Sequence, residues 1–323
     1  MVSERPRRPA RRRKLGRGLS EVSHIFLSGA EKNLQQAPGG ALDSPPEEDL
    51  KTAPDGTGEA LWLPDANLIS ITSGEKIHGK TFLAANLAFG LFNEGRSVGV
   101  VNADSEKPDI LDMMSVVPSE SGDGLAVASP RFGGLPVGDT FGSIRPEAAE
   151  AAAGARISPL AALEAVAGRA ESVIIDTSPW AEPGRVVWSV AGLTLIVVRT
   201  GSEAMQAAYV TVKRVRNTSP VGRIGLVVNM ASSRTEANKC FRKMSEVCRR
   251  FLKTNIRDYG YIVQSEMAGE ACRKALPLAQ AYPESEATKC IHSILKLIMM
   301  DESAIARRRR EVTFKTCALR EGR

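Results

Sequence analysis

"TSGEKIHGKTFLAANLA", residues 72–88, decides how the rest of the chain is read. It follows the apolar run NLISIT (67–72) and opens a stretch whose apolar residues recur at helical spacing. Gly74 and Gly79 bracket four residues, and Lys80 and Thr81 follow directly. A strand, a glycine-bounded loop and Lys-Thr at the head of a helix together make a cradle for phosphate. Backbone N–H groups and the helix N-terminus face the anion, the Lys80 ammonium reaches the terminal phosphates, and the Thr81 hydroxyl serves as an Mg2+ ligand. The plainer alternative is a glycine turn at an ordinary strand-to-helix junction, which leaves Gly-Lys-Thr at the helix start without a reason.

Outward from this loop, five more apolar runs follow: SVGVVN (97–102), SVIID (172–176), LTLIVVR (193–199), RIGLVVN (223–229) and YGYIV (259–263). They are β-branched, almost continuously apolar, and separated by helix-length stretches such as TFLAANLAFGLFNEG, ISPLAALEAVAG and TEANKCFRKMSEVCRRFLK. Runs buried on both faces and joined by helices predict an α/β fold, a mostly parallel sheet wrapped by helices in one domain over residues 65–300. Between 116 and 158 the chain is rich in Gly and Pro, and only FGGLPV hints at a further short strand. Hydrophobic residues make up 43% and charged residues 25%, as in a globular protein, and no window approaches the roughly 18 uncharged apolar residues of a membrane span.

The net charge of +6 is unevenly placed: residues 1–18 hold seven Arg and one Lys against one Glu, so the remainder sums to about −1. The basicity is therefore assigned to an arm. Its partner would be nucleic acid, anionic lipid or an acidic protein, unless it is simply solvated. No apolar run of signal-peptide length follows it. In LGRGLSEVSHIFLSGA (15–30), Leu19, Val22, His24, Ile25 and Phe26 form a short amphipathic face, read either as a docking peptide or as a helix folded back on its own domain. Residues 31–64 are expected to be a disordered linker. Residues 301–323 read as a basic C-terminal tail or fraying helix, too sparse in apolar residues for stable membrane anchoring. Cys240, Cys248, Cys272, Cys290 and Cys317 form no CxxC pair and no zinc spacing with His24, His78 and His292, and are read as reduced packing thiols.

Two more strand ends carry acids. VGVVNADSEKPDILDMM (98–114) ends its strand with Asn102 and Asp104, and an acid at that tip orients attacking water or holds the water shell of a metal. Asp104 and Lys80 are the candidate catalytic pair. SVIIDTSPW closes a strand with Asp176, placed to bind Mg2+ through water. An Asp at a strand end is common as a turn residue, but three such tips together point to one site.

TSGEKIHGKTFLAANLA, VVNADSEKPDILDMM, VIIDTSP and LVVNM together resemble the MinD/ParA class of P-loop ATPases. The stretch from LVVNMASSRTEANKCFRKM through RFLKTNIRDYGYIV to ACRKALPLAQAYPESEA is similar to the flagellar-number regulators of that class, the FlhG or FleN proteins. The resemblance covers roughly residues 66–300. It implies the deviant Walker A, SIMIBI-type fold, with ATP and Mg2+ as ligands and a homodimer in the ATP-bound state. Gly74, Lys76, Gly79, Lys80 and Thr81 would hold the phosphates, Thr81 and Asp176 the Mg2+, Asp104 would be the second acid of the switch, and Asn229 would contact adenine. It also implies a signal-recognition-type GTPase or another polar-apparatus protein as the partner of residues 15–30. A cytoplasmic location follows, with peripheral contact at the inner membrane face or cell pole.

The departures from the family pattern are specific. The lysine that crosses a nucleotide-sandwich dimer is Glu75 here, two loop glycines are Lys76 and Ile77, the first acid of the switch is Asn102, and the Pro and Asp beyond the "YxG" strand are Val263 and Ser265. A carboxylate about 4 Å from a phosphate charge costs on the order of 1 to 4 kcal/mol, and an amide accepts a hydrogen bond but cannot act as a base. The expected function is an ATP-dependent dimerisation switch, at most a weak ATPase, that regulates flagellum or polar-apparatus placement through protein partners. The alternative is a nucleotide-independent scaffold of the same fold. A DNA-partition role is disfavoured by the −1 sum outside the arm. A distant similarity of NADSEKPDI to the switch of bacterial tyrosine kinases fails at Lys107.

Overall fold

The computed structural model describes residues 66–75, 79–104, 110–114, 116–117, 129–132, 135–136, 141–144, 163, 166–168, 170–178, 187–219 and 222–307. The arm, the docking segment and the linker lie outside the described residues, as do Lys76, Ile77 and residues 308–323.

The first half runs β1 (Asn67–Ser73), α1 (Lys80–Asn93), β2 (Val98–Ala103), α2 (Ile110–Met113), the short strands β3 (Val116–Val117), β4 (Ser129–Phe132) and β5 (Leu135–Pro136), then β6 (Phe141–Ile144) and β7 (Ser172–Thr177). The second half runs β8 (Leu193–Arg199), α3 (Ser202–Thr218), β9 (Arg223–Ala231), α4 (Arg234–Val247) with a π-helical turn over Cys248–Leu252, β10 (Arg257–Val263), α5 (Glu266–Arg273), α6 (Leu278–Ala281) and α7 (Glu286–Met300). Seven strands form one sheet in the order β10-β9-β8-β1-β7-β2-β6. Every pairing in it is parallel. β1, which feeds the phosphate-type loop, therefore lies in the interior, and all strands end at the same edge.

The six apolar runs become β1, β2, β7, β8, β9 and β10, and five of them are buried almost throughout. β6 has no such signal, because FGSI holds one β-branched residue; it forms by pairing with β2 at the sheet edge, Val98 opposite Phe141. Of FGGLPV, Phe132 ends β4 and Leu135 and Pro136 form β5; the two strands pair antiparallel in a separate small sheet with β3.

Side chains alternate between the two faces of the sheet. On one face Ile69, Ile71, Leu195 and Val197 pack with Leu83 and Leu87 of α1 and Ile291, Ile294 and Ile298 of α7. On the other Ile196, Val198, Leu226 and Val228 pack with Tyr209 and Val212 of α3 and Met244 and Val247 of α4. α1 is buried on nearly all sides, as expected for a helix without a polar stripe. Its Asn86 is satisfied inside, donating to Phe82 O at 2.8 Å and accepting from Leu278 N at 2.7 Å.

Residues 301–307, assigned from sequence to the tail, pack against the domain. Ile305 is fully buried, and the Asp301 carboxylate receives Tyr259 Oη–H at 2.8 Å, Arg223 at 2.7 Å and Arg257 at 2.8 Å. Arg96 and Glu302 pair at 3.0 Å. Composition hides this because Asp301 finds its partners on strands distant in sequence. Cys240 and Cys248 are buried and Cys272 and Cys290 half-buried, all as free thiols. Burial pushes the Cys240 and Cys248 thiols up to about 12.

Candidate functional site

Gly79 stands immediately before α1 with φ 78°, a left-handed conformation that favours glycine. A Cβ there would also collide with Nδ2 of Asn229. Gly74 is required for a different reason: a Cβ would run into the backbone of Ala207 and Ala208 in α3. Both glycines of the motif are thus fixed by geometry. Ser73 adds a constraint that the sequence reading missed, its hydroxyl donating to Glu75 O at 2.5 Å.

The head of α1 differs from those of α4, α5 and α7. Those three are capped by Ser233, Ser265 and Ser285, whose side chains accept backbone N–H groups, and each has an acid in its first turn. α1 begins after a glycine, receives no side-chain cap and has no acid in its first turn. Its first-turn N–H groups and positive dipole end thus meet no side-chain cap and no local acid.

Lys80, the first residue of α1, is buried, with Nζ 2.5 Å from an oxygen of the equally buried Asp104. Asp104 is set by Asn102, whose Oδ1 accepts the Asp104 N–H at 3.0 Å. In register, Asp176 on β7 stands beside Asn102 of β2 on one side and Ile71 of β1 on the other. Beneath this tip a buried set of bonds locks β1 to β7. Thr177 Oγ1 donates to Ile71 O at 3.0 Å, lies 3.2 Å from Ser70 Oγ, and receives Trp188 Nε1–H at 3.3 Å.

At the end of β9, Asn229 is buried and accepts the Met230 N–H at 2.9 Å, while Met230 takes a positive φ of 54°. The fold thus brings Gly74, Gly79, Lys80, Thr81, Asp104, Asp176 and Asn229 to the carboxyl edge of one sheet, where parallel α/β folds bind ligands. Lys76 lies outside the described residues. Val263 packs against the core, and Ser265 caps α5, accepting the Ala268 N–H at 3.4 Å.

The structural role of Asn102 went unread in the sequence, although an Asn two residues before an Asp is a recognisable side-chain turn signal. The close approach of α3 to Gly74 had no sequence signal.

The residues present fit a polyphosphate with a divalent cation. The left-handed glycine leaves open backbone before an uncapped helix, an ammonium stands beside it, and a hydroxyl and two carboxylates supply oxygen donors.

No family model matches the chain. Its sequence is 23% identical over 244 residues to the antiactivator FleN of Pseudomonas aeruginosa, covering 72% of this chain and 85% of that protein. Its fold is similar to the septum site-determining protein MinD complexed with Mg-ADP from Pyrococcus horikoshii, with TM-score 0.55, 15% identity and coverage of 72% of this chain and 96% of the other. It is also similar to a ParA family ATPase from Chlorobium tepidum, with TM-score 0.52, 19% identity and coverage of 70% and 96%. The chain thus has the fold of the MinD and ParA ATPases, and by sequence it is similar to the antiactivator FleN.

Proposed function

We propose that the chain is an ATP-binding switch that dimerises when loaded and acts through protein partners on the number or placement of flagella or of another polar apparatus. The observation that carries this reading is Lys80 at the head of an uncapped helix, held against Asp104 from the tip of β2. Similarity to FleN supports the biological context. The α1 amides and Lys80 would hold the phosphates, Thr81 and Asp176 the Mg2+, and Asn229 the base. Bound Mg-ATP would supply a phosphoanhydride and a concentrated negative charge.

The chain's own contribution is exchange of an ion pair. Lys80 is neutralised by Asp104, and a phosphate competes with that carboxylate for the same ammonium. Because Asn102 holds the Asp104 backbone, the carboxylate keeps its place at the tip, where an acid orients water. Asn102 itself accepts hydrogen bonds without acting as a base. This supports slow turnover, with switching rather than catalysis as the output.

Calorimetric titration of Mg-ATP into the chain tests the reading, with Lys80→Ala as control and size-exclusion chromatography for the dimer. Heat and a dimer in the parent, both absent in the variant, are expected. A second reading, a nucleotide-independent scaffold, is favoured by Glu75 in the loop. Absence of heat in the parent would select it.

A further inference from the structure

The layer over β9 and β10 carries a charge pattern that the phosphate edge does not use. α4 descends from the carboxyl edge, where β9 ends at Ala231, to the amino edge, where β10 starts at Arg257. Residues 237–253 contain Lys239, Arg242, Lys243, Arg249, Arg250 and Lys253 against a single carboxylate, Glu246. Lys239, Arg242, Arg249, Arg250 and Lys253 are exposed. The π turn leaves both Arg249 and Arg250 in solvent while Leu252 stays buried, and Arg250 lies over the Phe251 ring at 5.3 Å. Among the described residues, none of the ion pairs engages Lys239, Arg242, Arg249 or Lys253. The row is about 20 Å long at helical rise. On the opposite layer two cations are answered locally, Lys274 by Glu270 at 2.7 Å and Lys289 by Glu284 at 3.6 Å.

The row has no apolar anchor. The exposed large hydrophobic side chains among the described residues are Met230, Met267 and Met300, all outside it. A folded protein partner needs a desolvated apolar centre, and an amphipathic helix on a membrane needs an apolar face; here that face is spent on the core. An extended acidic segment with few bulky side chains is the ligand that fits.

This chain contains one. DSPPEEDLKTAPDGTGE, residues 43–59, has six carboxylates, one lysine and a single large apolar residue, Leu50. We propose that this segment docks along the exposed row of α4 and its π turn, with Glu47, Glu48 and Asp49 against Arg249, Arg250 and Lys253. Two facts beyond charge favour it. The segment enters the fold at Asn67, at the amino edge, the same edge at which Arg249, Arg250 and Lys253 lie. Asp49 stands 18 residues before Asn67, a reach of up to about 60 Å, whereas β9 is two strands from β1, about 10 Å. Each exposed pair is weak alone, so docking depends on several acting together and on the high effective concentration of a tethered ligand. The basic arm at 1–18 competes for the same carboxylates, but a row fixed on a helix is preorganised and costs less to pair. Docking would hold the N-terminal residues on the side of the sheet away from the phosphate loop.

The test is zero-length carbodiimide cross-linking of the dilute full chain, with the linked peptides identified by mass spectrometry. Links from residues 43–59 to Lys239 or Lys253 within one chain are expected at about 50 mM salt, falling at least about tenfold at about 500 mM. As a second readout, a fluorescein-labelled 24-base-pair duplex is titrated as a polyanion probe. The triple variant E47Q/E48Q/D49N should bind it about tenfold more tightly than the parent at about 50 mM salt, and adding R249Q/R250Q/K253Q should cancel the gain. Links to Lys14 alone, links only between chains, or unchanged probe affinity in the acid-neutralised variant would each overturn the proposal. Tight duplex binding by the parent without intramolecular links would do so as well, by giving the row to nucleic acid. Preferential binding of the parent to phosphatidylserine vesicles would assign it to a membrane.

Discussion

The two edges of the sheet each bury an acid with cations, to different ends. At the amino edge Asp301 collects three donors, Tyr259, Arg223 and Arg257. That carboxylate is saturated from distant parts of the chain, so it acts as a clasp between α7 and the strand starts. At the carboxyl edge Lys80 pairs with Asp104, beside a helix end whose amides receive no side-chain cap. Under the proposed function, those amides and the Lys80 ammonium are the groups an anion would use. A buried polar cluster is structural when its valences close within the fold, and a ligand site when they are left open at a rim.

The largest expected effect breaks the clasp. Asp301→Ala should cost about 3 kcal/mol, because three donors lose one buried acceptor, read as a lower urea midpoint. ATP affinity of the folded fraction should be unchanged, and an affinity loss matching the stability loss would refute the division between the edges.

The reverse experiment neutralises the other pair. Lys80→Met with Asp104→Asn replaces a buried ion pair by neutral groups of similar size, so the urea midpoint should hold or rise. Heat on Mg-ATP addition should vanish, at least about a hundredfold loss or about 2.7 kcal/mol. A destabilisation as large as that of Asp301→Ala would make the carboxyl edge a second clasp.

Glu75→Lys sharpens the comparison by replacing an acid of the loop with a cation. Affinity for Mg-ATP should rise about fivefold, about 1 kcal/mol, the low end of the repulsion removed. No change would mean that the Glu75 carboxylate points away from the phosphates.

The smallest effect lies between the edges. Cys240 and Cys248 have thiols raised from 9.0 to about 12 by burial. A raised folded value favours the protonated form, so their contribution is complete below about pH 9 and is lost as pH climbs toward 12. Between pH 7 and 8 the urea midpoint should be flat, and a thiol-reactive dye should label Cys272 and Cys290 before either buried thiol.

Much of the fold was legible because parallel strands covered on both faces must be apolar throughout, and LTLIVVR became β8 residue for residue. β6 was not, because a strand built on FGSI depends on its neighbour β2 and not on its own propensity. Asp301 read as tail because its partners come from β9 and β10, and no local pattern announces them.

The same separation governs the site and the charge. Residue types and spacing alone supplied the loop, its lysine and hydroxyl, and the acids at two strand tips, since phosphate chemistry dictates which groups follow which along one strand, turn and helix. Only the tertiary structure placed Asp104 on Lys80 and brought Asn229 against Gly79, because those contacts join segments distant in sequence. It also gathered onto one helix a row of cations that a near-zero sum over the body had hidden. A sum has no position, whereas a helix fixes every third or fourth residue on one side.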